Sequence, residues 1–432
     1  MSHRIVVVGG GAGGLELVTR LGRTLGKKGR AEVKLVDSTL THLWKPLLHE
    51  VAAGSLDASR NELNYLAQAK WNHFEFQLGT LHGIDRLSRT IHLAPVFDEQ
   101  GAQLMPRRTI SYDTLVLSIG STTNDFNTPG VAEHCIFLDT PKQAERFRHQ
   151  LLQRYLAAHA RRAGNEEVSI AIVGAGATGV ELAAELRHAA DRLSDYGLNS
   201  IAPESMRITL IDAGSRVLPG LSEKVSASVH RELERMGVAV HTSILIGEAT
   251  ADGLVTRSGE FIPADLKVWA AGIRAPELLG GMDGLETNRL NQLLVHQTLQ
   301  TTRDENIFAL GDCAACPLTE DSDKFVPPRA QAAHQQAELL AKSLALRIQG
   351  YPLLNYQYRD LGSLVSLSRF SAIGQLMGNL LGNINVSGWL ARMFYVSLYR
   401  MHQASLYGPI RTLFLILAGR ISRRASPRLK LH

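Results

Sequence analysis

The feature that most restricts the possible folds is a short pattern that occurs twice. Ile5 to Val8 is a β-branched run that breaks into Gly9-Gly10-Gly11-Ala12-Gly13-Gly14 and continues as Leu15-Glu16-Leu17-Val18 with helical spacing. The same order returns 165 residues later as Ser169 to Val173, Gly174-Ala175-Gly176-Ala177-Thr178-Gly179 and Val180-Glu181-Leu182. Each copy reads as strand, glycine turn, helix, and each is followed by a strand closing on an acid: Glu32 to Val36 on Asp37, and Arg207 to Ile211 on Asp212. So wide a separation marks a duplicated domain type rather than a solenoid repeat. The expected fold class is α/β, with two Rossmann-like domains.

The spacing has a chemical meaning. In Gly9-x-Gly11-x-x-Gly14, glycines permit a tight turn and let backbone N–H groups and a helix N-terminus approach a pyrophosphate, with Ala12 and Gly13 inside the same turn. Asp37, 23 positions beyond Gly14, can then accept from a ribose hydroxyl pair. A glycine-rich surface turn would not need that acid. In the second copy Gly174, Gly176, Thr178 and Gly179 take the same places, but Asp212 follows Gly179 by 33 positions. The polar stretch from Arg187 to Ser205 reads as a lengthened helix and loop that accounts for the excess. An acid there favours NAD over NADP, because a carboxylate repels a 2′-phosphate; nearby Arg216 tempers the preference. Two dinucleotide sites on one chain point to electron transfer between two nucleotide cofactors, of which FAD and NADH are the economical pair.

Asp139-Thr140-Pro141, with Glu145 in the first turn, reads as the start of a helix running to about Arg162. Asn306 to Asp312 reads as a further strand with a glycine-acid ending, and a helix is expected from about Pro328 to Ile348. Charge is uneven along the chain. The last 72 residues, from Leu361, hold nine cations and no acid, leaving 37 cations against 41 acids in the rest. A mildly acidic body with a basic tail argues against a nucleic-acid binder and for one surface that meets something anionic. Leu413 to Ala418 is too short to span a bilayer, which takes roughly 20 apolar residues. Phe370 to Ala391, uncharged but carrying Gly374, Gly378, Gly382 and several amides, reads as strands with turns. Ile410, Leu413, Phe414, Leu417 and Ile421 share one helical face, and Trp389, Met393 and Val396 make a shorter stripe. With Arg411, Arg420, Arg423 and Arg424 nearby, this suits an interfacial helix on an anionic lipid surface, packing against the protein's own core being the alternative. Three cysteines are too few for a disulfide framework, and the start of the chain leaves no room for a signal peptide, so a reducing compartment is expected.

Thr114 to Gly120, Val268 to Gly272 and Ile307 to Asp312, in this order around the two glycine turns, resemble the two-dinucleotide-binding-domain flavoproteins, in which a nicotinamide domain is inserted into a flavin domain. That resemblance spans residues 4 to about 335. It implies a first flavin half at 1–140, a nicotinamide domain at 141–290, a second flavin half at 291–350 and a membrane-docking region at 351–432. Trp44-Lys45-Pro46-Leu47-Leu48, the segment Pro327 to Gln336 and the basic tail further resemble the type II, non-proton-pumping NADH:quinone oxidoreductases of respiratory membranes. The region after Asp37 has no cysteine, which excludes dithiol chemistry there, and Cys135 has no evident partner for a sulfide:quinone mechanism.

What the resemblance implies is specific. FAD would be held by the first glycine turn, Asp37, Gly120, Gly311, Asp312, Ala330 and Gln331, with Lys45 bonding the flavin or its phosphates unless it is a surface lysine. NADH would be held by the second turn, Asp212 and Gly272. Glu181 would help position the hydride donor, or merely complement a helix dipole. The helix after Pro328 turns its N-terminus toward the flavin, and Gln331, His334 and Gln335 share one face that could bind a quinone carbonyl; His334 could equally be structural. The expected partners are a membrane quinone and anionic lipid, with a homodimer possible, at the cytoplasmic face of the inner membrane, peripherally and without proton pumping. Cys313-x-x-Cys316 lacks the further ligands of a zinc site, so no metal is expected and inert thiols are the favoured reading. The rivals are an NADH-dependent reductase of metal ions or thiols using that pair, and a non-enzymatic redox-sensing module.

Overall fold

A computed structural model describes residues 2–98, 100–160, 167–194, 206–320, 322–367, 372–378 and 382–425. The first glycine turn joins β1 (His3–Val8) to α1 (Ala12–Thr24), and β2 (Ala31–Asp37) ends on the acid. Ile5, Val6 and Val7 have no exposed surface. A strand covered on both faces needs no polar alternation, which is why these runs are continuously apolar. Next come α2 (Leu48–Ala52), β3 (Glu75–Leu78), β4 (Thr114–Leu117) and α3 (Pro141–Ala160). At the start of α3, Gln143 N donates to Thr140 Oγ1 at 3.3 Å and Thr140 N donates to Gln143 Oε1 at 3.0 Å, a reciprocal cap. Glu145, expected in that first turn, lies beyond it, and residues 161–166 lie outside the described set.

The second glycine turn joins β5 (Val168–Val173) to α4 (Ala177–Ser194), and β6 (Met206–Ile211) ends at Asp212. The insertion read at Arg187 to Ser205 is helix as far as Ser194, and its remainder, 195–205, lies outside the described residues. Then follow β7 (Val238–His241), β8 (Leu266–Trp269), β9 (Gln300–Thr301), β10 (Asp304–Ala309) and α5 (Ala330–Arg347). The expected start of α5 at Pro328 moves to Ala330, because Arg329 takes the cap position and both prolines precede it. The tail forms β11 (Gly362–Ser366), β12 (Ala372–Gly378), β13 (Gly382–Ser387), α6 (Gly388–Tyr407) and α7 (Pro409–Ala425). Among the described residues no helix is long and apolar enough to cross a membrane.

These elements group into two compact units. One comprises residues 1–44, 62–122 and 273–359; the other comprises 45–61, 123–272 and 360–432. In this grouping α2 and residues 360–432 fall with the second glycine turn, while 351–359 and 273–290 fall with the first. The first unit has a sheet ordered β9-β10-β4-β1-β2-β3, in which only β9 runs antiparallel to its neighbour. The second has a parallel sheet ordered β7-β6-β5-β8 and an antiparallel sheet β11-β12-β13.

Candidate functional site

Register assembles each site. In the first unit Val8 lies opposite Val36 and Leu117, and Leu117 opposite Ala309. Gly9, Asp37, Gly120 and Gly311-Asp312 therefore emerge along one carboxyl edge, where open α/β sheets hold their ligands. In the second unit Val173 lies opposite Ile211 and Trp269, which lines up Gly174, Asp212 and the segment leading to Gly272. The two turns are built alike. A Cβ on Gly14 would lie 1.9 Å from the Gly9 carbonyl oxygen, and one on Gly179 would lie 1.9 Å from that of Gly174, so any side chain would force the turn apart. At Gly11 and Gly176 a Cβ would meet no protein atom within 4 Å. The turn is closed on the protein side and open on the other, and α1 has no side-chain cap, leaving its first N–H groups for an anion. A pyrophosphate fits both cradles.

The acids are held identically. Gly10 N donates to Asp37 Oδ2 at 2.6 Å, and Thr39 N donates to Oδ1 at 2.9 Å. Ala175 N donates to Asp212 Oδ2 at 2.5 Å, and Gly214 N donates to Oδ1 at 2.7 Å. Each carboxylate thus ties its glycine turn to the next strand and is fixed where a ribose would sit. Arg216 bonds its own loop, donating to the carbonyls of Leu221 and Pro219 at 3.0 and 2.9 Å. Sequence reasoning missed Tyr65, whose hydroxyl donates to the Gly10 carbonyl at 2.8 Å and whose ring fills the space above Gly10. Burial pushes the nearby His42 down to about 4, so that imidazole is neutral.

Further along the edge of the first unit, Ser121 Oγ donates to Asp312 Oδ2 at 2.9 Å, Gln336 Oε1 accepts from Gly311 N at 2.7 Å, and Gly120 has no atom within 4 Å of a would-be Cβ. Ala330 opens α5, which has no side-chain cap either. The polar face of α5 is engaged. Gln331 Nε2 donates to the Tyr358 hydroxyl at 3.1 Å, Gln335 bonds both backbone groups of Arg359, and His334 Nδ1 lies 2.6 Å from Glu16 Oε2. Helical spacing did place the three on one face; it could not show that residues 356–359 and α1 already satisfy them. Glu16, buried and also paired with Arg20 at 2.8 Å, was not singled out from the sequence. The Glu16 hydrogen bond, outweighing burial, holds the His334 pKa above its usual value.

In the second unit Glu181 is buried and sits one turn further into α4 than expected, so it does not act as a first-turn complement to the helix dipole. His49 Nδ1 on α2 lies 3.4 Å from Glu181 Oε2, and Ser366 N on β11 donates to Oε1 at 3.0 Å. A buried carboxylate thereby joins the nucleotide helix, α2 and the tail sheet. His49 stood in the segment read for missing cysteines, but no local spacing linked it to Glu181. Lys45 pairs with Asp139 at 3.0 Å, and Asp139 also accepts from Thr123 N at 2.9 Å.

The model of the pyridine nucleotide-disulphide oxidoreductase family matches residues 3–337. A type II NADH:quinone oxidoreductase of Haemophilus influenzae is 50% identical over 99% of both chains. The chain belongs to the type II NADH:quinone oxidoreductases. A second member, from Mycobacterium tuberculosis, is 28% identical over 95% of this chain and 86% of its own. In fold the chain matches NDH2 of Plasmodium falciparum in complex with NADH, with a TM-score of 0.82 at 17% identity and full coverage of both chains. It also matches the sulfide:quinone oxidoreductase of Aquifex aeolicus, with a TM-score of 0.74 at 18% identity, covering 95% and 92% of the two chains.

Cys313 and Cys316 are buried free thiols, Cys313 lying 3.3 Å from the Leu310 carbonyl. Burial pushes them up to about 11 and about 12, and Cys135 to about 12, so none supplies a thiolate near neutral pH. That stands against the thiol- and metal-reductase reading. Among the described residues no group of three or more His, Cys, Asp or Glu is placed to hold a metal ion.

Proposed function

We propose that NADH binds at the carboxyl edge of the β7-β6-β5-β8 sheet and FAD at that of the β9-β10-β4-β1-β2-β3 sheet, and that the electrons leave to a membrane quinone. The enzyme is an FAD-dependent oxidoreductase that oxidises NADH and reduces quinone. The observation that carries the placement is the duplicated device of glycine turn and carboxylate, identical at Asp37 and Asp212. FAD, when bound, supplies the chemistry of accepting a hydride and releasing two electrons. The chain supplies the rest. Gly9, Gly11, Ala12, Gly13 and Gly14 with the N-terminus of α1 would take the flavin pyrophosphate, Asp37 its ribose, and Asp312, Gly120 and Gly311 the groups along the same edge. The uncapped N-terminus of α5, at Ala330 and Gln331, presents positive dipole to a flavin that gains charge on reduction. Gly174, Gly176, Thr178 and Gly179 would take the NADH pyrophosphate, Asp212 the adenosine ribose, and Glu181, held by His49, would help position the hydride donor.

The reaction so placed moves no proton across the membrane. The apolar stripe of α7 and the basic tail support peripheral attachment to anionic lipid at the cytoplasmic face, where a lipid-dissolved quinone is met. A homodimer is compatible with this reading, and sedimentation of the purified protein distinguishes it from a monomer. The deciding experiment is the absorbance spectrum of the flavin-loaded protein. NADH should bleach it and a soluble quinone restore it; a spectrum that NADH leaves unchanged overturns the reading.

A further inference from the structure

In the second unit an exposed aromatic ring is pointed at the nucleotide edge by an unusual backbone. Phe126 and Asn127 are consecutive non-glycine residues in the left-handed region, both at φ 53°. A bulky residue rarely stands there unless its surroundings enforce it. Phe126 N donates to Asn124 Oδ1 at 3.0 Å, Asn127 N to Asp125 Oδ1 at 3.2 Å, and Trp269 Nε1 at the end of β8 to the Asn124 carbonyl at 2.9 Å. The loop is therefore anchored to the strand that leads to Gly272. Its ring tip touches that glycine: a Cβ on Gly272 would lie 2.5 Å from Phe126 Cζ and 3.0 Å from Cε2. Even so, 58% of Phe126 is exposed. The tip of the ring lies against the glycine while more than half of the residue is open to solvent.

Sheet order tells which half of the nucleotide lies there. β5, with its glycine turn, lies between β6 and β8. With the pyrophosphate on the turn and the adenosine ribose at Asp212 on the β6 side, the nicotinamide half falls on the β8 side, at Gly272. We infer that Phe126 is a substrate-contacting residue whose ring packs against the nicotinamide riboside half of NADH and orients it for hydride transfer. Aromatic faces favour offset or edge contact with a second ring, and the bare Gly272 is what lets the side chain reach this position. The inference rests on the placement of NADH in the second unit.

Full-length, flavin-loaded Phe126→Ala, Phe126→Leu and Phe126→Tyr variants test it, with NADH and with ADP-ribose, a competitor that lacks the nicotinamide. The Ala and Leu variants should raise the KM for NADH about fivefold and slow flavin bleaching by NADH, while Tyr stays near the parent. Inhibition by ADP-ribose should not change in any of them, nor should the rate at which a soluble quinone reoxidises dithionite-reduced protein. Parent-like behaviour of Phe126→Leu would reduce the ring to a space filler and overturn the inference, as would a parallel weakening of ADP-ribose. A parent protein that NADH does not bleach would take down the functional reading and this inference together; a parent that bleaches beside variants equal to it would take down the inference alone.

Discussion

Asp212 bonds the N–H groups of Ala175 in the glycine turn and Gly214 beyond its own strand, and in the proposed NADH site it also presents negative charge where a 2′-phosphate would have to enter. Arg216 close by donates to carbonyls of its own loop. Asp212→Asn keeps one acceptor oxygen and removes the charge. It should lower kcat/KM for NADH by about tenfold and raise the NADPH-to-NADH ratio by a similar factor, about 1.4 kcal/mol, in steady-state assays with both nucleotides. An unchanged ratio would show that discrimination lies elsewhere. The cysteines make the opposite case. With their thiols buried and protonated, replacing Cys313 and Cys316 by Ala should cost roughly 1 kcal/mol of stability at each site while quinone reduction stays within about twofold. Loss of turnover in a folded double variant would restore the dithiol rival.

Between elements, α1 and α5 are clamped by Glu16 with His334, reinforced by Arg20. Because the folded His334 has a raised pKa, the clamp stabilises fully below the unfolded value of about 6.5 and is lost as pH rises through the folded value. His334→Gln should therefore lower the thermal midpoint most near pH 5.5 and progressively less as the solution becomes alkaline; an offset that grows with pH would contradict the pairing. Nothing in the sequence announced this clamp, whose partners lie 318 positions apart, nor the bond from Ser366 to Glu181 across 185. What the sequence made legible was local: the glycine turns, the strands closing on Asp37 and Asp212, and, within the uncharged stretch, the strands β12 and β13, although its last residues, from Gly388, are the start of α6 rather than strand. These depend on neighbours along the chain, whereas the partners of Glu181, Lys45 and Gln331 depend on which distant segment covers them. Helical spacing correctly put Gln331, His334 and Gln335 on one face and was silent about residues 356–359 lying over it.

At the scale of the whole molecule, charge and exposure meet in the tail. Its nine cations stand without an acid, and on α7 Ile410, Leu413, Phe414 and Leu417 are 72%, 57%, 67% and 47% exposed, whereas Thr412 between them is buried. The stripe therefore faces away from the protein and does not serve its core; Ile421, and the Trp389, Met393 and Val396 stripe of α6, have side chains outside the described residues. Deleting everything after Gly388 would be a blunt test, because α6 packs against β11, β12 and β13 and its removal would uncover them. Substitution on the exposed face is cleaner. Leu413→Ser with Phe414→Ser removes two side chains, each worth about 1.5–3 kcal/mol when fully buried in an apolar phase, so partitioning onto vesicles rich in anionic lipid should fall by more than tenfold. Salt should weaken binding of the parent as well, since each cation near an anionic surface contributes about 1 kcal/mol that ions screen. Turnover with a water-soluble quinone should be unchanged, because both side chains stand exposed on α7 and neither belongs to the glycine turns or carboxylates proposed to hold the nucleotides. A double variant that sediments with anionic vesicles as the parent does would remove the proposed docking role from α7.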